Sequence, residues 1–230
     1  MLKDFELRRV SLRDQALAVI REALITGRIA PGTVHSAAGL ATELGVSTSP
    51  VREAMLALVD VGLMESVPNK GFRAVTLTGR DLEEIVELRM LLEPPAMGRV
   101  AALDLAGRAA HYTGLVDAIE ATAAAGDVPG NLRADREFHL GLLAEGGNGR
   151  LVDTAARLHD QTRLFNLPAL AATERLASAA AEHRPLLAAV LAHDSERAEE
   201  LTRRHLDHIL TEWARSRAPL TAPPAPPTGR

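Results

Sequence analysis

The chain has 230 residues, of which 47 % are hydrophobic and 24 % charged; its formal net charge is −4 and it has no cysteine. That is enough apolar material for a real core, and it excludes a disulfide framework, a thiolate metal site and a cysteine nucleophile. Lys3, Asp4, Glu6, Arg8 and Arg9 interrupt any signal-like apolar run, and no stretch approaches the roughly 18 apolar residues of a membrane span, so a soluble cytoplasmic protein with no membrane contact is expected.

From Ser11 to Thr26, residues Leu12, Ala16, Val19, Ile20, Ala23 and Leu24 recur at helical spacing. Gly27 stops this helix and Pro31-Gly32 marks a turn. A short helix fits 36–44, with Gly45 able to take the positive φ of a tight turn. A third helix is expected to start at Ser49-Pro50, with Ser49 as cap and Pro50 first in the helix, and to run through Val51, Ala54, Met55, Leu58 and Val59 to Gly62. Leu63–Val67, the turn Pro68-Asn69-Lys70-Gly71 and Phe72–Val75 read as a hairpin.

Three helices followed by a hairpin is the order of a winged helix-turn-helix, whose second core helix enters the major groove of double-stranded DNA with its N-terminal residues toward the bases. Here those residues are Ser47, Thr48, Ser49 and Arg52. Small hydroxyls and helix-end N–H groups suit phosphates, and Arg52 is placed to grip a guanine with both arms. Lys70 and Gly71 form the tip of the wing. Charge adds little: residues 1–77 carry nine Lys/Arg against eight Asp/Glu, the remainder seventeen against twenty-two. The alternative is a helix-turn-helix kept only as a packing module.

After Thr78 the patterns are helical, at about 79–105, 107–125, 131–146, 149–165, 172–193 and 195–216, with Pro94-Pro95 expected to break or kink the first. The tail from Pro219 is Pro-rich and is expected to be disordered. The organisation expected is mainly α: a winged helix-turn-helix over 1–77, an all-α antiparallel bundle over 78–217, and a tail over 218–230.

In the bundle, polar residues stand on apolar stripes. The stripe of 131–146 is Leu132, Asp135, His139, Leu142 and Leu143; that of 172–193 is Leu176, Ala180, His183, Leu187 and Val190. Ala198, Leu201, His205 and Ile209 line 195–216, and Leu82, Ile85, Val86, Arg89 and Leu92 line 79–93. Inward-facing charge needs partners, and three imidazoles with one carboxylate suit a divalent transition metal such as zinc, nickel or manganese. Asp135 and His139 are i and i+4 on one helix. His183 and His205 each lie eleven residues from Asp194, so a helical hairpin there sets both about 16 Å from the turn, at one height. Pattern alone leaves two readings, a metal site at Asp135, His139, His183 and His205 or satisfied core polar residues, and His208 borders the stripe as a substitute for His205. His111, His159 and His193 lack partners at ligand spacing and are expected at the surface or in structural roles.

Two sets of motifs carry a family resemblance. Gly-x-Ile-x-Pro-Gly (27–32), Leu-Ala-x-x-Leu-Gly-Val-Ser (40–47), Pro-Val-Arg-Glu-Ala-Met-x-x-Leu (50–58) and Gly62-Leu63 before the wing resemble the GntR family of bacterial transcription regulators, with Thr48 where the family often has Arg. Asp-x-x-Phe-His (135–139), Gly147-Asn148, Leu151, Glu182-His183, Leu187, Ala189, Asp194, Ala198 and His205 resemble the FCD-type sensor domain of such regulators. The resemblance implies an all-α sensor that binds a divalent metal through Asp135, His139, His183 and His205, and an Arg89 that binds an effector carboxylate through bidentate pairing. It implies a homodimer on a pseudo-palindromic operator, a repressor rather than an enzyme, answering to a small organic acid. Two alternatives are a metal-responsive regulator without organic effector and a metal-dependent hydrolase built on His159-Asp160 or His193-Asp194, whose adjacent side chains diverge by about 100° on a helix.

Overall fold

A computed structural model describes residues 11–170 and 173–215, with side chains over 11–164 and 176–211. The predicted tail over 218–230 lies outside the described residues. The N-terminal unit contains α1 (Leu12–Ile25), β1 (Val34–His35), α2 (Ala37–Leu44), α3 (Thr48–Asp60), β2 (Met64–Val67) and β3 (Gly71–Ala74). The bundle contains α4 (Gly79–Ala101), α5 (Ala109–Ala125), α6 (Val128–Glu145), α7 (Gly149–Leu170), α8 (Thr173–Ala180), α9 (His183–Leu191) and α10 (Ser195–Arg215).

The N-terminal core forms where the helical stripes meet the hairpin: Ile20 and Leu24 of α1, Leu40 of α2, Val51, Met55 and Leu58 of α3, with Leu63 and Phe72. α2 is capped by Ser36, whose side chain accepts from the Gly39 N–H, and ends at Gly45 in the left-handed region (φ 67°) as its sequence requires. The hairpin carries a third strand that its two residues had not announced: Val34 and His35 pair antiparallel with Arg73 and Phe72. β3 is therefore central, between β1 and β2.

α3 starts one residue before the predicted cap. Ser47, not Ser49, holds the cap position, without a side-chain cap bond, while the Ser49 hydroxyl donates to Glu53 Oε1 at 3.2 Å. Pro50 stands third in the helix. The first four helical N–H groups have no intrahelical acceptor, so proline is tolerated there and does not by itself mark the first position.

α4 opens with a capping box between Thr78 and Asp81 and runs unbroken through Pro94 and Pro95. Of the break or kink expected there, the break does not occur. The prolines remove the N–H partners of the Met90 and Leu91 carbonyls, a cost of about 3 kcal/mol each in a helix interior. Burial of Pro94, Ala96, Met97 and Val100 in the bundle offsets it. The helix expected over 172–193 is instead two, α8 and α9, with a turn at 181–182. Pro185, third residue of α9, has no N–H for the Ala181 carbonyl, so the ladder ends there. The inward stripe survives: Leu176, Ala180, His183, Leu187 and Val190 are all buried.

The bundle core gathers Met97, Val100, Tyr112, Val116, Ile119, Phe138, Leu142, Leu186, Leu187 and Val190. α7 joins the two units. Leu164 packs against the N-terminal core, Gln161 donates to the Val61 carbonyl at 3.1 Å, and Asp160 lies 3.8 Å from Arg21 of α1.

Candidate functional site

The inward-pointing carboxylate and imidazoles converge. Asp135 and His139 stand one above the other on α6, His183 opens α9, and His205 lies mid-way along α10; one ligand atom from each falls within 4.8 Å of the others. Asp135 is 5 % exposed, His139 and His183 1 % each, and His205 is half-buried. His183 Nε2 lies 3.2 Å from Asp135 Oδ1 and His139 Nε2 4.0 Å from the same oxygen. Phe138 stands edge-on to both rings, at 5.2 and 5.3 Å between centroids. The expected helical hairpin brings His183 and His205 to 4.9 Å between ring centroids.

Hydrogen bonds behind the rings set which nitrogen offers a lone pair. His183 Nδ1 lies 3.1 Å from the Ala180 carbonyl. A carbonyl only accepts, so Nδ1 carries the proton and Nε2 keeps its lone pair. His205 Nδ1 lies 2.7 Å from Glu182 Oε2, with the same consequence. Partners of this kind orient histidine ligands and raise their basicity. His139 Nδ1 is buried with no hydrogen-bond partner. With its proton on Nδ1, His183 turns the Nε2 lone pair toward Asp135 Oδ1 at 3.2 Å, a lone-pair contact that a cation between the two atoms would make favourable, so the donor set fits a cation at this point.

Burial disfavours charge on Asp135, but Arg163, His159 and His183 outweigh it and hold the carboxyl well below its ordinary range. At the rings burial wins: His139 is held well below the usual imidazole value, and His205 is lowered despite Glu182. At neutral pH these two rings are neutral lone-pair donors beside a carboxylate, the protonation that metal coordination needs.

The surroundings hold residues that spacing had not assigned. Arg163 of α7 pairs with Asp135 Oδ2. His159, expected at the surface or in a structural role, is buried with Nε2 3.3 Å from Asp135 Oδ2. Ala155, His159 and Thr162 share a buried face at helical spacing, and that stripe was readable in the sequence. His208 turns to the second oxygen of Glu182 at 3.0 Å, so His205 is the tetrad member. His111 is exposed; His193, also exposed, has φ 59° and its Nδ1 lies 3.1 Å from the Ala101 carbonyl.

Arg89 points inward as its stripe requires and is 2 % exposed. Its fork closes on its own helix, with Nε 2.6 Å and Nη2 3.2 Å from the two Glu93 oxygens, and Nη1 3.4 Å from Thr162 Oγ1. Burial and the charge of Arg89 push the His159 ring down to about 3.

On the other unit, Ser47, Thr48, Ser49 and Arg52 are exposed around the first turns of α3. Lys70 is exposed at the hairpin tip. Gly71 has φ 124°, and a Cβ there would collide with the His35 carbonyl, so β3 passes β1 only as glycine. Among the described residues no helix is long and apolar enough to cross a membrane.

The family model described as "FCD domain" matches residues 84–208, and that described as "Bacterial regulatory proteins, gntR family" matches residues 12–73. A probable D-xylose utilization operon transcriptional repressor from Paenarthrobacter nicotinovorans is 31 % identical over 91 % of this chain and 92 % of its own length. An uncharacterized HTH-type transcriptional regulator from Agrobacterium vitis is 39 % identical over 56 % of this chain and 77 % of its own. Among solved structures, McbR/YncC from E. coli superposes with a TM-score of 0.81 at 24 % identity, covering 90 % of this chain and 99 % of that one.

Proposed function

Since the chain belongs to the gntR family of bacterial regulatory proteins, as a transcriptional regulator that joins a winged helix-turn-helix to an FCD domain, we propose that it is a homodimeric cytoplasmic repressor whose grip on operator DNA is set from the Asp135–His139–His183–His205 tetrad. The observation that carries this reading is the convergence of four ligand atoms within 4.8 Å, with the proton of two rings fixed on the far nitrogen by Ala180 and Glu182. A divalent transition metal (zinc, nickel or manganese) bound there would supply a Lewis-acidic site for a small carboxylate effector. The units divide as residues 1–77, which read DNA, and 78–217, which sense.

The chain's own residues supply the rest. Ser47, Thr48 and Ser49 meet phosphates from the start of α3, Arg52 reads a base edge, and Lys70 with the backbone at Gly71 follows the DNA backbone from the wing. Leu88 and Leu91, 49 % and 67 % exposed on α4, give a second copy an apolar face to pack on. Two heads then meet two half-sites of a pseudo-palindrome. One turn of α7 connects sensor to head: His159 and Arg163 touch Asp135, while Asp160 and Gln161 touch Arg21 and Val61. A change at Asp135 thereby reaches the DNA-binding unit through packed contacts.

A second reading, a metal-responsive regulator without organic effector, has one observation in its favour. The Arg89 fork is spent on Glu93, so an effector carboxylate must displace Glu93 to use it. Melting curves with candidate acids, run with and without metal, separate the two: an acid that stabilises only the metal-loaded protein supports an effector. Operator titrations of loaded and chelated protein test the control itself.

A further inference from the structure

The seam between the two units holds a second site that the tetrad does not use. α1, α6 and α7 enclose a cavity of about 120 Å³ there, lined by Arg21, Arg133, Arg136 and Arg163 together with Glu22 and Asp160. Four guanidiniums thus face two carboxylates. Asp160, itself buried, accepts from Arg136 at 2.9 Å and lies 3.8 Å from Arg21. Glu22 accepts from Arg28 at 2.8 Å and lies 3.6 Å from Arg133. Arg21 and Arg133 therefore reach these carboxylates only beyond hydrogen-bond length. Arg163 is held by Asp135, so its charge is already answered from outside the cavity.

A seventh lining residue narrows the ligand. His159 lines the same cavity at 2 % exposure. Its Nε2 faces Asp135 Oδ2, a carboxylate that accepts, so Nε2 carries the ring proton. Its Nδ1 is then an acceptor, and it is buried with no partner. An oxyanion would answer the two arginines; Nδ1 has almost no accessible surface, so a hydroxyl on the same molecule would answer it only by pressing in against the ring.

We propose that this cavity binds a small oxyanion carrying a donor hydroxyl, a hydroxycarboxylate or hydrogen phosphate, held by Arg21 and Arg133 and read by His159. Guanidinium forks match carboxylate and phosphate alike. One wall belongs to the DNA-binding unit and two to the sensor, so the ligand stabilises this arrangement of the units over any other. The cavity touches the tetrad only through the contacts of His159 and Arg163 with Asp135, and its test is run on metal-free protein, so that its failure and that of the tetrad reading are distinguishable.

The probes are malate, succinate (malate without its hydroxyl) and inorganic phosphate, titrated calorimetrically into the full chain and into its His183→Ala, Arg21→Gln and Arg133→Gln variants. With metal removed by chelation from both proteins, malate or phosphate is expected to bind wild type and His183→Ala alike. Arg21→Gln and Arg133→Gln, on side chains 33 % and 65 % exposed that can be neutralised without unfolding, are each expected to weaken binding at least tenfold. Succinate is expected to bind at least tenfold more weakly than malate, because it leaves Nδ1 unanswered. Absence of binding by malate and phosphate, unchanged affinity in both arginine variants, loss of binding in His183→Ala, or equal affinity for succinate and malate would overturn the proposal.

Discussion

The Nε2 atoms of His139 and His183 lie 3.0 Å apart, on rings that are each 1 % exposed. The Ala180 carbonyl fixes the His183 proton on Nδ1, so that atom offers a lone pair toward His139. His183 Nε2 also faces Asp135 Oδ1 at 3.2 Å, so two lone pairs meet there unless a cation lies between them. Protein purified from zinc-, nickel- or manganese-supplemented medium is therefore expected to carry close to one ion per chain by elemental analysis, and His183→Ala to carry almost none. Equal metal content in the variant rules the tetrad out.

Glu182 fixes the His205 proton from 2.7 Å. Glu182→Ala removes no predicted ligand, yet it is expected to weaken metal binding by about 10- to 100-fold, the range for partners behind a ligand. A competitive chelator titration measures it. Glu182→Gln, which keeps a carbonyl acceptor, should recover part of the loss; no effect of either substitution would leave Glu182 an ordinary surface carboxylate.

Acid should weaken the metal-free fold. Burial depresses His139, His159 and His205 in the folded chain, whereas the unfolded chain takes up those protons below about pH 6.5. Unfolded protein then binds more protons than folded, so stability falls as the pH drops through that value. His159, pushed down to about 3 by burial and Arg89, alone removes about 2 kcal/mol by about pH 5. Urea denaturation across this range, with His159→Gln as comparison, reads the slope; an identical slope in the variant contradicts this assignment.

Gln161 joins sensor to head through the Val61 carbonyl. Gly62 beside it has φ 75°, and a Cβ there would collide with the Gln161 amide. Gln161→Ala is expected to keep its metal and its DNA binding, but to shrink the difference in operator affinity between loaded and metal-free protein. Fluorescence anisotropy in both states checks this, and an undiminished difference excludes α7 as the connection at this point.

At the DNA surface, Arg52→Ala is expected to cost about 1–3 kcal/mol and to relax base preference at one position of each half-site. Lys70→Ala should weaken all sequences alike and reduce the salt slope of binding by about one counterion per wing. Thr48→Arg should raise affinity by adding a cation at the exposed start of α3. Binding selections at several salt concentrations distinguish the three.

Much of this was legible in the sequence because helical periodicity reports which residues face inward. It placed Asp135, His139, His183 and His205 on buried stripes, and the distance from each histidine to Asp194 brought two helices into register. Gly45 announced its turn because only a residue tolerant of positive φ serves there. What periodicity does not carry is which helices meet. Arg163 and His159 reach Asp135 from α7, a contact between helices that no spacing within one helix encodes. Prolines alone do not settle where a helix ends: α4 passes Pro94-Pro95 without a break because packing outweighs two lost bonds, while Pro185 ends a ladder that the apolar stripe disguised as continuous. β1 escaped notice because two residues cannot show alternation and the partner strand dictates their pairing.

The most direct test is operator affinity under control of the tetrad. DNA recovered by selection from a random pool is titrated with wild type and His183→Ala, each metal-loaded and then chelated. Control from the tetrad predicts that wild-type affinity changes at least fivefold between the two states, within the usual range of allosteric coupling, and that His183→Ala shows one affinity in both. Equal wild-type affinity with and without metal would contradict it.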